Sequence, residues 1–207
     1  MPPPANPQRF RHFIHAFTRL VESAGADEKR IHAEGKVLLS DIVRNDDWLP
    51  DACAQPHPQY YQQYLLHCDP LERFSVVSFV WGPGQKTPVH NHTVWGILGV
   101  MRGAELCNRF DVPDASKPEP MRIHPREKLN LHEIDVVSPA VGDIHRVENA
   151  YADRVSISIH VYGANIGAVK RHVFDPDPGA RKDFVSGYSN TAVPNFWDRS
   201  AEVRATL

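Results

Sequence analysis

The stretch GPGQKTPVHNHTVWGILGVMRG, Gly82 to Gly103, sets two histidines one residue apart, His90 and His92, in a run of glycines and β-forming residues. In a β-strand alternate side chains share a face, so an H-x-H pair presents two imidazoles at a spacing that one metal ion can bridge. In a chain with 12 histidines the pair also has a plainer reading, as a structural or surface pair. Around it lie short β-rich runs separated by Gly, Pro and Asp: RFSVVSFVWG from Arg73, VWGILGVM from Val94, AELCNRFDV from Ala104, HEIDVVS from His132, HRVENA from His145 and RVSISIHVYG from Arg154. Such a series predicts an antiparallel sandwich or barrel.

Upstream the period changes. Phe10, Phe13, Ile14, Phe17, Leu20 and Val21 recur at helical spacing, and a second helix is expected after Asp27, through Val37, Leu38 and Ile42. QYYQQYLLH, after Pro58, predicts a short third helix with Tyr60, Tyr64 and His67 on one side. The expected organisation is one domain over residues 1–207: helices to residue 70, a β-barrel over 71–175 and an extension over 176–207. The segment from Asp111 to Lys128 is polar and proline-rich and belongs on the surface, and the tail after Phe174 has no sustained period.

The 207 residues carry a formal net charge of −2 and no dense Lys/Arg run, which argues against a nucleic-acid or membrane-surface partner and for a small ligand. MPPPANPQRFRHF lacks the apolar core of a secretory signal, and no window approaches the ~20 apolar residues of a membrane span. The expectation is a soluble, cytoplasmic protein. Cys53, Cys68 and Cys107 are an odd count without C-x-x-C spacing, so they read as reduced, structural thiols. His12, His15, His32, His57, His67, His124 and His132 sit in no motif and read as surface or satisfied residues.

The glycines around the pair add specificity. Gly84, His90, His92, Gly96 and Gly103 follow the spacing of the first cupin motif, with Gly96 where cupins usually carry glutamate. PAVGDIHRVEN supplies Pro139, Gly142, His145 and Asn149, and matches the second motif with one residue inserted between proline and glycine. The resemblance to cupins implies a mainly β fold, a double-stranded β-helix or jelly-roll barrel behind the N-terminal helices, with a metal inside it on His90, His92 and His145. Three neutral imidazoles without the glutamate leave the full 2+ charge and three open positions on one face. Imidazoles accept Fe, Zn, Cu or Ni, and an open facial site favours non-haem Fe(II) and oxygen chemistry.

In RVSISIHVYG, Ser158, His160 and Tyr162 alternate with Ile157, Ile159 and Val161. This is either an edge strand with its polar face in water or a relay in which serine bonds imidazole and imidazole bonds phenol. The three-histidine site followed by Ser-x-His-x-Tyr resembles the thiol dioxygenases, the cysteine dioxygenase family, from roughly Tyr60 to Phe174. The resemblance implies an Fe(II) enzyme that oxidises a small thiol to its sulfinic acid with both atoms of O2, the thiolate on iron and O2 near Tyr162. Two departures sort the chain within that family. Gly96 stands where mammalian-type members carry the cysteine that is cross-linked to the tyrosine, which implies an unmodified Tyr162. Gln63, or Gln62 with one residue's slip, replaces their carboxylate-binding arginine, and Arg171 in GAVKRHVF matches the arginine of glutamine-type bacterial members that resemble 3-mercaptopropionate dioxygenases. Arg171 also reads as an ordinary surface charge, and Lys170 and His172 fall on the opposite strand face. Trp81 and Trp95 read as barrel packing, although Trp95, close to His92, is a candidate wall of the substrate pocket. The resemblance thus favours 3-mercaptopropionate over L-cysteine. The competing class is a non-oxidising metal-binding cupin, a sugar isomerase or epimerase or a metabolite-sensing module.

Overall fold

The computed structural model describes residues 6–113, 116, 119–191 and 200–207; parts of the proline-rich connection and of the tail lie outside the described residues. The two N-terminal helices form where the apolar spacing places them. Helix α1, Pro7–Ala24, is capped by the Asn6 side chain, which accepts from the Arg9 N–H, and it buries Phe13, Phe17, Leu20 and Val21. Helix α2, Glu28–Val43, is capped by Asp27, which accepts from the Arg30 N–H.

The strands are β1 Gln62–Cys68, β2 Ser75–Trp81, β3 Val89–His90, β4 Gly96–Arg102, β5 Glu105–Arg109, β6 Glu127–Leu129, β7 Ile134–Val137, β8 His145–Asn149, β9 Ser156–Tyr162, β10 Arg171–Phe174 and β11 Arg181–Phe184. They form two antiparallel sheets, ordered β1-β2-β9-β4-β7 and β11-β10-β3-β8-β5-β6. This is the mainly β, double-sheet barrel with a helical N-terminal segment that the motifs imply.

Alternation along the strands divides the apolar residues among three clusters. Val76 and Val80 of β2, Ile97 of β4 and Ile157, Ile159 and Val161 of β9 pack outward against Phe13, Phe17, Leu39 and Ile42 of the helices. Val77, Phe79 and Trp81 of β2, Leu98 of β4 and Tyr162 of β9 meet Val147 of β8 from the other sheet, and so fill the barrel. Val89, Phe110, Ile144 and Phe174 cover the outside of the second sheet. The helices therefore serve as the outer layer of one sheet. Both faces of β2 and β9 are shielded, and all their residues are buried.

One predicted element changes type. The segment expected as a third helix is strand β1, paired with β2 from Gln62↔Val80 to Cys68↔Ser75. Tyr64 and Leu66 face the helical layer while Leu65 and Cys68 face the barrel, so the strand is apolar on both sides. A register shift between Leu65 and His67 further breaks its two-residue period. An apolar segment of this kind imitates helical spacing, and pairing with β2 decides between the two. The barrel sheets accordingly begin at Gln62 and end at Phe184, beyond both edges of the expected 71–175 core. Among the described residues no helix is long and apolar enough to cross a membrane.

Candidate active site

Strands β3 and β8 are paired so that His90 lies directly opposite His145. His92 follows the end of β3, where Thr93 adopts a left-handed φ of 61°. The side chain of Asp143 holds that turn: its Oδ1 accepts from the His92 backbone N–H at 2.9 Å and its Oδ2 from the Thr93 N–H at 2.9 Å. As a result the three ring centroids stand 4.8–4.9 Å apart, and one nitrogen of each imidazole lies within 4.8 Å of the others. Among the described residues, these three histidines form the one cluster suited to a metal ion, with no carboxylate in it.

Each ring is tethered through its Nδ1. His90 Nδ1 lies 3.1 Å from the Pro88 carbonyl, His92 Nδ1 lies 2.9 Å from Asp143 Oδ1, and His145 Nδ1 lies 3.6 Å from Cys107 Sγ. A histidine tethered at one nitrogen presents the other as a lone pair, the usual arrangement of a metal-binding imidazole. Burial first, then the charge on Arg171, lowers His90 to about 4. Burial likewise holds His92 and His145 well below the ordinary histidine range. All three are therefore neutral at pH 7, the form that binds a divalent metal. His92 Nε2 is buried without a hydrogen-bond partner, an orphan that a metal ion would satisfy. The residues fit a metal.

The Ser-x-His-x-Tyr row belongs to a central strand, with β2 and β4 on its two sides, and it points into the barrel. The edge-strand reading is thereby excluded. Ser158 Oγ lies 2.7 Å from His160 Nε2, and His160 Nδ1 lies 2.8 Å from the Tyr162 hydroxyl. Phe79 stacks on His160 with centroids 4.3 Å apart, and the Tyr162 ring lies over His92 at 5.3 Å. Burial raises the Tyr162 phenol and lowers His160 to about 3, so the relay is a chain of neutral groups. A Cβ built on Gly96 would come within 2.9 Å of Tyr162 Cδ1 and Cε1, so the ring lies where only a hydrogen atom fits. None of the three cysteines occupies that place. Intact-mass analysis is expected to show no loss of two hydrogens, and such a loss would reveal a Cys–Tyr bond.

Arg171 opens β10 and is 4% exposed. It points inward, while Lys170 pairs with Asp183 at 3.0 Å and His172 lies against Asn91 on the other face. Its Nη2 donates to Ser186 Oγ at 2.7 Å, its guanidinium lies 5.2 Å from the Phe184 ring, and its Nε has no partner. No carboxylate among the described residues forms an ion pair with it. Burial lowers its pKa. Gln63, from β1, donates through Nε2 to the same Ser186 hydroxyl at 2.7 Å and to the Gly187 carbonyl. Gln62 instead bonds the Tyr60 and Tyr61 carbonyls, so of the two glutamines Gln63 faces the cavity.

Trp95 is a correction. Because Gly96 faces Tyr162, Trp95 faces outward, stacked on Phe17 of α1 at 6.2 Å and wedged against Gly163. The tryptophan in the cavity wall is Trp81, with Tyr61 and Phe79. Sequence reasoning also missed Asp143, two residues before His145, and Ser186, which comes from the tail that shows no period. His32 is buried and His67 half-buried, and the Nε2 atom of each is enclosed without a hydrogen-bond partner rather than satisfied. The cavity beside His90, His145, Tyr162 and Arg171 holds about 20 Å3, room for about one water. A much larger groove, about 850 Å3, runs over the outside of the second sheet, past Asp143 and Phe174, and does not reach the histidine nitrogens.

The family described as "Cysteine dioxygenase type I" matches residues 54–175, and that span contains the three histidines, the relay and Arg171. This chain belongs to the cysteine dioxygenase type I family. It is similar to cysteine dioxygenase type 1 of Danio rerio, 24% identical over 131 residues, which are 63% of this chain and 60% of that protein. The enzyme of the same name from Rattus norvegicus is 27% identical over 108 residues, 52% of each chain. The match thus spans between half and three fifths of these relatives' length. Among solved structures, a double-stranded β-helix domain protein from Klebsiella pneumoniae aligns with a TM-score of 0.43 at 15% identity, covering 64% of this chain and 91% of that one.

Proposed function

We propose that the chain is a non-haem Fe(II) thiol dioxygenase that converts a small thiol carboxylate and O2 to the sulfinic acid, RSH + O2 → RSO2H, with 3-mercaptopropionate preferred to L-cysteine. The observation that carries this reading is a cluster of three neutral imidazoles, two of which line one buried cavity with a tethered phenol and a guanidinium that has no carboxylate partner among the described residues. His90, His92 and His145 would hold the iron, which when bound brings thiolate and O2 together and supplies the electrons that start O2 reduction. Three neutral ligands and a buried arginine make the site strongly cationic, and a substrate with a thiolate at one end and a carboxylate at the other complements both charges.

The chain's own groups divide the remaining work. Arg171 offers a planar fork to the carboxylate, a geometry in which arginine binds bidentately. Gln63 adds a neutral donor beside it but no second charge. Phe79, Trp81 and Tyr61 exclude water around the sulfur end. Tyr162, oriented by His160, is placed to hold or move a proton at its hydroxyl beside His92. The absence of any carboxylate from the histidine cluster speaks against the sugar isomerase class, whose sites rely on one.

The test is steady-state oxygen consumption and sulfinate production by iron-loaded protein. 3-Mercaptopropionate is expected to give a higher kcat/KM than L-cysteine, and cysteamine, which lacks the carboxylate, a poor one. A clear preference for cysteine would reject the substrate assignment, and no thiol-dependent oxygen uptake would reject the class. Tyr162→Phe is expected to keep the iron, to lower kcat by about 10-fold to 100-fold, and to form less sulfinate per O2 consumed. Unchanged rate and coupling would leave Tyr162 a packing residue.

A further inference from the structure

The Ser158–His160–Tyr162 row does not end at Ser158. Glu105 of β5 sits opposite Asn149 of β8 and is 2% exposed; its Oε1 has no hydrogen-bond partner. Its carboxyl lies against the Ser158 hydroxyl and the Trp81 indole N–H, and Trp81 Nε1 also donates to Ser158 Oγ at 3.2 Å. A carboxyl buried in a barrel interior is exceptional unless it is paired, and no cation pairs with this one among the described residues.

A serine hydroxyl has one hydrogen to give, which makes the chain of bonds directional. With Trp81 donating to it throughout, Ser158 has two arrangements. If Glu105 is protonated, it donates to Ser158, Ser158 donates to His160 Nε2, and His160 Nδ1–H donates to the Tyr162 oxygen. The phenol O–H is then free to donate into the cavity. If Glu105 is ionised, it accepts from Ser158, Ser158 accepts from His160 Nε2–H, and His160 Nδ1 takes the Tyr162 O–H. The phenol then offers the cavity only lone pairs. One proton on Glu105 reverses three bonds and involves no net charge on any other member.

We propose that Glu105 is the fourth member of the relay, a positioning residue whose protonation decides whether Tyr162 presents a hydrogen-bond donor to the substrate cavity. Burial pushes the carboxyl up to about 7, opposed by the bonds from Ser158 and Trp81 and assisted by Asp135. On its own strand the Cys107 thiol is pushed up to about 12, and on β9 burial raises Tyr162 and lowers His160 to about 3. Asp135 of β7 is bonded by Arg109 at 2.6 and 2.7 Å. As the carboxyl ionises with rising pH, the donor arrangement gives way to the acceptor arrangement.

The relay can be tested with a spectroscopic arm that does not depend on the functional reading and a kinetic arm that does. Infrared difference spectra of iron-loaded protein against pH are expected to show a buried carboxylic acid band that disappears with a midpoint near 7. The C–O mode of Tyr162, identified by its loss in Tyr162→Phe, should shift with the same midpoint. Glu105→Gln should remove the acid band and hold the tyrosine mode at one position at every pH, because the amide does not titrate. Ser158→Ala should keep the acid band and uncouple the tyrosine mode from it. In kinetics, kcat should fall by about 10-fold from pH 6 to pH 8.5 in the native chain and stay level in Glu105→Gln. A tyrosine mode that ignores pH in the native chain, or that still shifts in Glu105→Gln, overturns the proposal. If no thiol is oxidised at all, the proposed function fails and the infrared titration still decides the relay.

Discussion

His145→Ala is expected to bind ferrous iron at least about 100-fold more weakly than the native chain, with no detectable turnover and a retained β-sheet circular dichroism spectrum. The expectation follows from how the site is built. With no carboxylate in the cluster, loss of one imidazole leaves two protein ligands, and even the outer tethers of such ligands contribute about 10-fold to 100-fold in affinity. The fold has separate support in the apolar clusters between the sheets and beneath the helices, neither of which contains the histidines. Asp143→Ala, which frees the His92 ring and the turn at Thr93, is expected to show a weaker version of the same defect. Metal analysis after anaerobic reconstitution is the measurement, and a His145→Ala protein that retained stoichiometric iron would remove His145 from the ligand set.

The second large effect separates function from stability. Arg171→Met is expected to lower kcat/KM for 3-mercaptopropionate by at least about 100-fold, in line with the 2–5 kcal/mol typical of a buried charge-assisted contact. The same variant should unfold at an equal or higher temperature than the native chain when no substrate is present. A buried guanidinium with no carboxylate partner among the described residues, its Nε unsatisfied, is a liability to the fold without substrate, and an apolar side chain of similar length relieves it. Arg171→Lys should keep the charge but lose the fork, and should raise KM by about 10-fold with a smaller change in kcat. If both variants lost stability and left KM unchanged, Arg171 would be a structural residue.

Much of this site was legible because its chemistry is written at short range. The spacing of His90, His92 and His145 among glycines, and the alternation of Ser158, His160 and Tyr162, are local patterns, and a strand turns a two-residue period directly into a shared face. Arg171 was separated from Lys170 and His172 by the same alternation. Where the pattern was ambiguous, the reading went astray. The segment around Gln63 is apolar on both faces and carries a register shift, so its residues alone fit helix and strand alike, and only the free edge of β2 decides.

What the sequence by itself determined, then, is the barrel, the three-histidine cluster and the row that ends in Tyr162, each encoded within a dozen residues or in the order of two motifs. The tertiary structure alone decided which way each row faces and what lies at its far end. Trp95 turns outward because Gly96 must lie against Tyr162, although the two are 66 residues apart in the chain. Ser186 joins Gln63 to Arg171 from a tail with no period, 123 residues beyond Gln63. Glu105 meets Ser158 from the opposite sheet. These contacts depend on the closing of two sheets over one interior, and distance along the chain carries no record of which side chains that closure brings together.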